Sequence, residues 1–136
     1  MTKPMERVSL DWTGTGLEFI GRRDGMDTRI DGQGVAGPNP VALLLEAAAA
    51  CMAIDVVDIL EKGRQELAGL RVEVEAIRMD EPPRYVRWIR LLFDIRGPVD
   101  EAKARRAITL SFDKYCSVFH SLRKDLEYEW DVRLSG

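Results

Sequence analysis

The feature that most constrains this chain begins at Asn39-Pro40. Asparagine is a strong helix N-cap, because its side-chain oxygen takes an otherwise orphaned backbone N–H. Proline suits the first helical position, where its missing N–H would be unpaired anyway. From Val41 to Ile54, 14 positions carry a single charge, Glu46, and the pattern runs on to Lys62-Gly63. A cation in the last turn and a glycine beyond it mark the C-terminus. At about 1.5 Å per residue such a helix is roughly 35 Å long, about the diameter of a small domain. Leu43, Leu44, Leu45, Ala47 to Ala50, Met52, Ile54, Val56 and Val57 are spread around it, so few faces can be wet. A central, mostly buried helix is predicted. The apolar run is short of the roughly 20 residues that a transmembrane helix needs.

The flanking segments alternate with period two. Val8, Leu10 and Trp12, then Leu17 and Phe19, then Met26, Thr28 and Ile30 are separated by Gly14/Gly16 and Asp24-Gly25, which predicts a three-stranded meander. Leu70, Val72, Val74 and Ala76 alternate with charged residues, shift phase at Ile77 and Met79, and connect through Glu81-Pro82-Pro83 to Tyr85, Ile89, Leu91, Phe93 and Ile95. Residues 70 to 96 therefore read as a long hairpin. Asp100 caps a second helix with Ala104, Ala107, Ile108 and Leu110 inward. A break at Ser111 to Tyr115 precedes a third, shorter helix near Ser117 to Lys124. Tyr128, Trp130, Val132 and Leu134 form one face of a last strand. The order βββ-α-ββ-αα-β is an α+β arrangement, and at 136 residues, without repeats or a linker, a single domain over 1–136 is expected.

Composition narrows the partners. Twenty basic against twenty-three acidic residues leave a net charge of -3, which argues against a nucleic-acid footprint. The segment Met1 to Trp12 lacks the apolar run of a signal peptide, so residence in the cytoplasm is the expectation, with no membrane association. Only Cys51, Cys116 and His120 are available for sulfur and imidazole chemistry. That excludes a disulfide framework and a four-ligand Cys/His zinc site, and two thiols with one histidine are a poor metal set; no metal and no bound cofactor are expected. In a reducing compartment a static Cys51–Cys116 disulfide is disfavoured, whereas a transient catalytic one is allowed.

Taken alone, Cys51 reads as a small core residue among alanines. Cys116 is open to either role, since the N-terminus of a third helix would lower its thiol pKa. His120, four residues on, shares a helical face with Cys116 and is either its assistant or an ordinary surface residue. Glu46 requires a basic partner, a proton or a wet cleft if buried. Asp55 and Asp58 lie nearer the Cys51 face, able to orient a partner group or simply to form a salt bridge. Arg22-Arg23-Asp24-Gly25 reads as a charged hairpin turn, and Gly14-Thr15-Gly16 lacks a phosphate-loop context.

Two segments together resemble the family of osmotically inducible protein C and the organic hydroperoxide resistance proteins. One is Gly37-Pro38-Asn39-Pro40 opening a Leu/Ala-rich helix that carries Cys51 and Ala53-Ile54-Asp55-Val56-Val57. The other is Arg106-Ala107-Ile108, Leu110-Ser111 and Lys114-Tyr115-Cys116-Ser117-Val118. The resemblance covers essentially the whole chain. It implies an intertwined homodimer sharing the long helices in a common core. It also implies a thiol-dependent peroxidase for organic hydroperoxides, in which Cys51 becomes a sulfenic acid and Cys116 resolves it as a disulfide, regenerated by an external dithiol such as a lipoyl group. The peroxidase branch places an arginine in the first hairpin loop and a glutamate directly after Asn-Pro. Here the loop is Thr13 to Gly16 and the residue after Pro40 is Val41, which brings the chain closer to the less-characterised branch. The alternative is a non-catalytic dimer that binds a small hydrophobic ligand or senses redox state.

Overall fold

The computed structural model describes residues 3–136. The chain divides into two compact units, one ending at Leu44 and the other spanning Leu45–Gly136.

The first unit is the expected meander. Strands β1 (Ser9–Trp12), β2 (Glu18–Arg23) and β3 (Met26–Asp31) pair antiparallel in the order β1-β2-β3. Asp24 (φ 49°) and Gly25 (φ 78°) both take the left-handed conformation that a two-residue hairpin turn demands. Arg22 reaches Asp11 at 2.7 Å and Arg23 pairs with Glu6, so the two arginines serve the meander's own acidic residues. The loop after β3 is organised by Asp31, whose carboxylate accepts the backbone N–H groups of Gln33 (2.9 Å), Val35 (3.2 Å) and Ala36 (2.9 Å). A Cβ at Gly37 would lie 2.6 Å from the carbonyl oxygen of Arg29, so this position of the loop admits only glycine.

Helix α1 (Pro40–Lys62) starts where the sequence predicts, with Asn39 Oδ1 accepting the Ala42 N–H at 2.8 Å. Its buried residues, Ala48, Met52, Val56 and Leu60, fall at a spacing of four, and the last three join the core of the second unit. The helix is less enclosed within one chain than its composition predicts: Ile54 is 68% exposed, and Glu46, Ala47 and Ala50 also face outward. The second unit has one sheet, and a helix can lay only one stripe on a sheet face.

That face belongs to β4 (Gly69–Arg78), β5 (Val86–Arg96) and β6 (Glu127–Ser135), in the order β4-β5-β6. The β4–β5 hairpin is antiparallel with a register shift between Ile77 and Arg78, as the phase change predicts, whereas β6 runs parallel to β5. The register aligns Val74, Leu91 and Trp130 in one row and Val72, Phe93 and Val132 in the next. Central β5 buries Ile89, Leu91, Phe93 and Ile95 against the α1 stripe and against Ala104, Ala107 and Ile108 of α2 (Glu101–Leu110). Asp100 caps α2 by accepting the Lys103 N–H at 3.0 Å.

The segment after α2 differs from expectation. Ser111–Tyr115 is no break but one turn of π-helix continuing α2, and the third helix near Ser117 to Lys124 is reduced to a 3₁₀ turn at Phe119–Ser121. The physical reason is aromatic packing. Phe112 stacks on Tyr128 with ring centroids 4.8 Å apart, and Phe119 sits edge-on to both at 4.9 Å, which pins the chain on either side of Cys116 and leaves no room for regular winding.

Candidate functional site

Cys51 lies in the middle of α1, half-buried, and Asp55 follows one turn later on the same face. Cys116 closes the π-helical turn: its backbone N–H donates to the carbonyl oxygen of Ser111 at 2.8 Å, an i to i−5 bond. Such turns widen a helix locally and recur at functional sites. Here the turn delivers a wholly buried Cys116 to α1. The two sulfurs and a carboxylate oxygen of Asp55 all lie within 4.8 Å of one another. Both cysteines are free thiols.

Ser111 organises the cluster. Its hydroxyl donates to Oδ2 of Asp55 at 2.8 Å while its carbonyl holds the Cys116 N–H. The Phe119 N–H donates to Cys116 Sγ at 3.3 Å. Burial pushes the Cys116 thiol up to about 11; the Phe119 N–H works against that, and neighbouring Cys51 and Asp55 add to it. The expected helix-dipole activation of Cys116 is therefore corrected. A 3₁₀ turn of three residues has no macrodipole to offer, and desolvation governs this thiol.

The remaining candidates separate. His120 Nε2 sits 2.8 Å from the Phe112 carbonyl oxygen, so a main-chain group rather than a thiol engages this ring nitrogen. Asp58 forms a salt bridge with Lys62 at 2.9 Å, and Asp55 takes the orienting role through Ser111. Ser111 is the residue that sequence reasoning passed over. Its signal was present: it continues the inward stripe Ala104, Ala107 and Ile108 at the next helical step, where a polar side chain must find a buried partner. Beside the cluster a cleft of about 430 Å³ is lined by Asp55, Asp58, Lys62, Arg106 and Tyr115, among others. Lys62 is engaged by Asp58, whereas Arg106 has no ion-pair partner among the described residues.

No helix among the described residues is long and apolar enough to cross a membrane. The sequence profile described as OsmC-like protein matches residues 31–131. Protein YhfA of Escherichia coli (strain K12) is 41% identical over 112 residues, which cover 80% of this chain and 84% of that protein. Among solved structures, the OsmC-like protein from Mycoplasma pneumoniae superposes with a TM-score of 0.85 at 18% identity, covering 99% of this chain and 100% of the other. The organic hydroperoxide resistance protein OhrB of Bacillus subtilis does so with a TM-score of 0.67 at 15% identity, covering 93% and 96%. These two share the fold. The profile match across the helix with Cys51 and the turn with Cys116, together with the identity to YhfA, makes the chain a member of the OsmC-like protein family.

Proposed function

We propose that this chain is a thiol-dependent peroxidase that reduces organic hydroperoxides in stress defence, working as a homodimer. The observation that carries the reading is the pairing of a half-buried Cys51 with a buried Cys116, their sulfurs within 4.8 Å.

The exposure difference divides the labour. The Cys51 thiolate attacks one oxygen of ROOH; the O–O bond breaks, its electron pair leaves with the alkoxide, which takes a proton and departs as the alcohol, and Cys51 is left as a sulfenic acid. Cys116, protonated at neutral pH, is slow toward peroxide itself. Once the sulfenic acid forms, the Cys116 sulfur attacks that of Cys51, and the displaced hydroxide leaves as water with the Cys116 proton. A dithiol, of which a lipoyl group is one example, then reduces the disulfide and is itself oxidised to a cyclic disulfide. The first hairpin loop, Thr13 to Gly16, carries no arginine; Arg106, which lines the cleft beside Asp55, is a cation available to an incoming hydroperoxide.

The homodimer reading rests on the outward side of α1, where Ile54, Ala47 and Ala50 lie open in the single chain. A two-fold axis covers such a stripe with its own copy, and two-fold dimers are the commonest assemblies. Stopped-flow oxidation by cumene hydroperoxide compares the wild type with Cys51→Ser. Rapid consumption by the wild type that is lost in the variant supports the enzyme; equal consumption by both proteins overturns it and leaves a ligand-binding or redox-sensing dimer.

A further inference from the structure

We propose that Cys51, Cys116 and Asp55 form a site for a thiophilic divalent cation of the zinc class, with three protein ligands and one open position. The sequence count admits only cysteine and histidine as candidates, and the structure adds the ligand it lacks: a carboxylate oxygen within 4.8 Å of both sulfurs. Zinc bonds sulfur at about 2.3 Å and carboxylate oxygen at about 2.0–2.2 Å, which in a tetrahedron sets the ligand atoms roughly 3.6–3.8 Å apart. Loading the site requires the three atoms, now within 4.8 Å of one another, to close to that spacing.

Two further observations favour a cation. For thiol chemistry alone Asp55 is an unfavourable neighbour of Cys116, whose thiolate it disfavours by like charge, whereas a divalent ion turns all three groups into ligands. The outer contacts are also those of a metal site. Ser111 fixes Asp55 through its hydroxyl and Cys116 through its carbonyl, each at 2.8 Å, and the Phe119 N–H supports charge on Cys116 Sγ. Asp55 keeps lone pairs free for a metal while Ser111 occupies one, because a carboxylate offers about four acceptor sites.

Binding moves no electrons: both thiols release a proton to solvent and the ion takes their lone pairs. The open position is left to water or an added ligand. The binding itself does not depend on the peroxidase reading, but one consequence rests on it: metal and peroxide compete for the Cys51 sulfur, so the loaded protein is shielded from oxidation.

The test is calorimetric titration of the reduced, whole chain with Zn²⁺, paired with Co²⁺ absorption, whose thiolate charge-transfer band reports sulfur ligation. One ion per chain is expected, with the band lost in Cys51→Ser and in Cys116→Ser. Ser111→Ala should lower zinc affinity by about 10- to 100-fold. Asp55→Asn, which keeps an acceptor for Ser111 and so the local structure, should weaken binding at least as much with an unchanged circular dichroism spectrum. Absence of the band in the wild type, or equal zinc affinity in the wild type and Asp55→Asn, overturns the site. Peroxide consumption is read separately on metal-free protein. A flat isotherm with active peroxidase rejects the metal site alone, and a normal isotherm without peroxidase activity rejects the enzyme alone.

Discussion

Ser111 Oγ donates a hydrogen bond of 2.8 Å to Oδ2 of Asp55, tying the end of α2 to the middle of α1 across 56 positions of sequence. Because the same serine's carbonyl holds the Cys116 N–H, one residue positions both the carboxylate and the second thiol beside Cys51. Ser111→Ala removes a bond to a charged, half-buried group, and a loss of about 1.5 kcal/mol is expected. Urea unfolding checks it, with Asp55→Asn as the milder comparison because the amide oxygen still accepts from Ser111.

Cys116 makes stability depend on alkaline pH. Folding raises its thiol from 9.0 to about 11, so the unfolded chain loses this proton first as pH rises. The native state then holds more protons, and the contribution, fully present below pH 9.0, is lost as pH climbs toward about 11. Unfolding midpoints measured under reducing conditions across this window should fall more steeply for the wild type than for Cys116→Ala.

Asp31 acts in the opposite direction. Backbone N–H groups, that of Ala36 first and then that of Gln33, hold its carboxyl below the usual range, so the unfolded chain takes up this proton first as pH falls. The stabilisation is present above the unfolded value of 3.8 and is lost as pH drops through the lower native one. Asp31→Ala should remove this acid sensitivity and speed hydrogen exchange at Gln33, Val35 and Ala36.

Two substitutions on α1, two positions apart, should behave differently. Met52 is wholly buried against the sheet, and Met52→Ala is expected to cost about 2–5 kcal/mol. Ile54 is 68% exposed, so Ile54→Glu leaves the chain folded but places a charge in the proposed dimer seam. Circular dichroism should read native in the second case while light scattering reports half the mass. A dimer that survives Ile54→Glu would place the interface elsewhere.

Cys116→Ser should separate the two chemical steps. The variant is expected to consume about one equivalent of hydroperoxide per chain, leaving a Cys51 sulfenic acid that dimedone traps, and to stop turning over with a dithiol. Full turnover in this variant would remove Cys116 from the reaction.

Local chemistry alone determined much of this protein. Asn39-Pro40 start α1 and Lys62-Gly63 end it, because capping and proline geometry act within a turn. The meander, the β4–β5 hairpin with its phase shift near Ile77 and the face of β6 follow from period-two alternation. The pairing of Cys51 with Cys116 was legible only through resemblance to a family, since 65 positions of separation say nothing about distance. What tertiary structure decided lies around Cys116. A third helix is what propensity predicts after Tyr115, but packing of Phe112 and Phe119 on Tyr128 of a distant strand replaces it with a π-helical turn and a short 3₁₀ turn. The same non-local packing reverses the shift expected for the Cys116 thiol, because desolvation depends on everything that surrounds a sulfur, whereas sequence shows only its chain neighbours. It also brings Asp55 and Ser111 together, a half-buried hydrogen bond between two helical segments that pack on the same sheet.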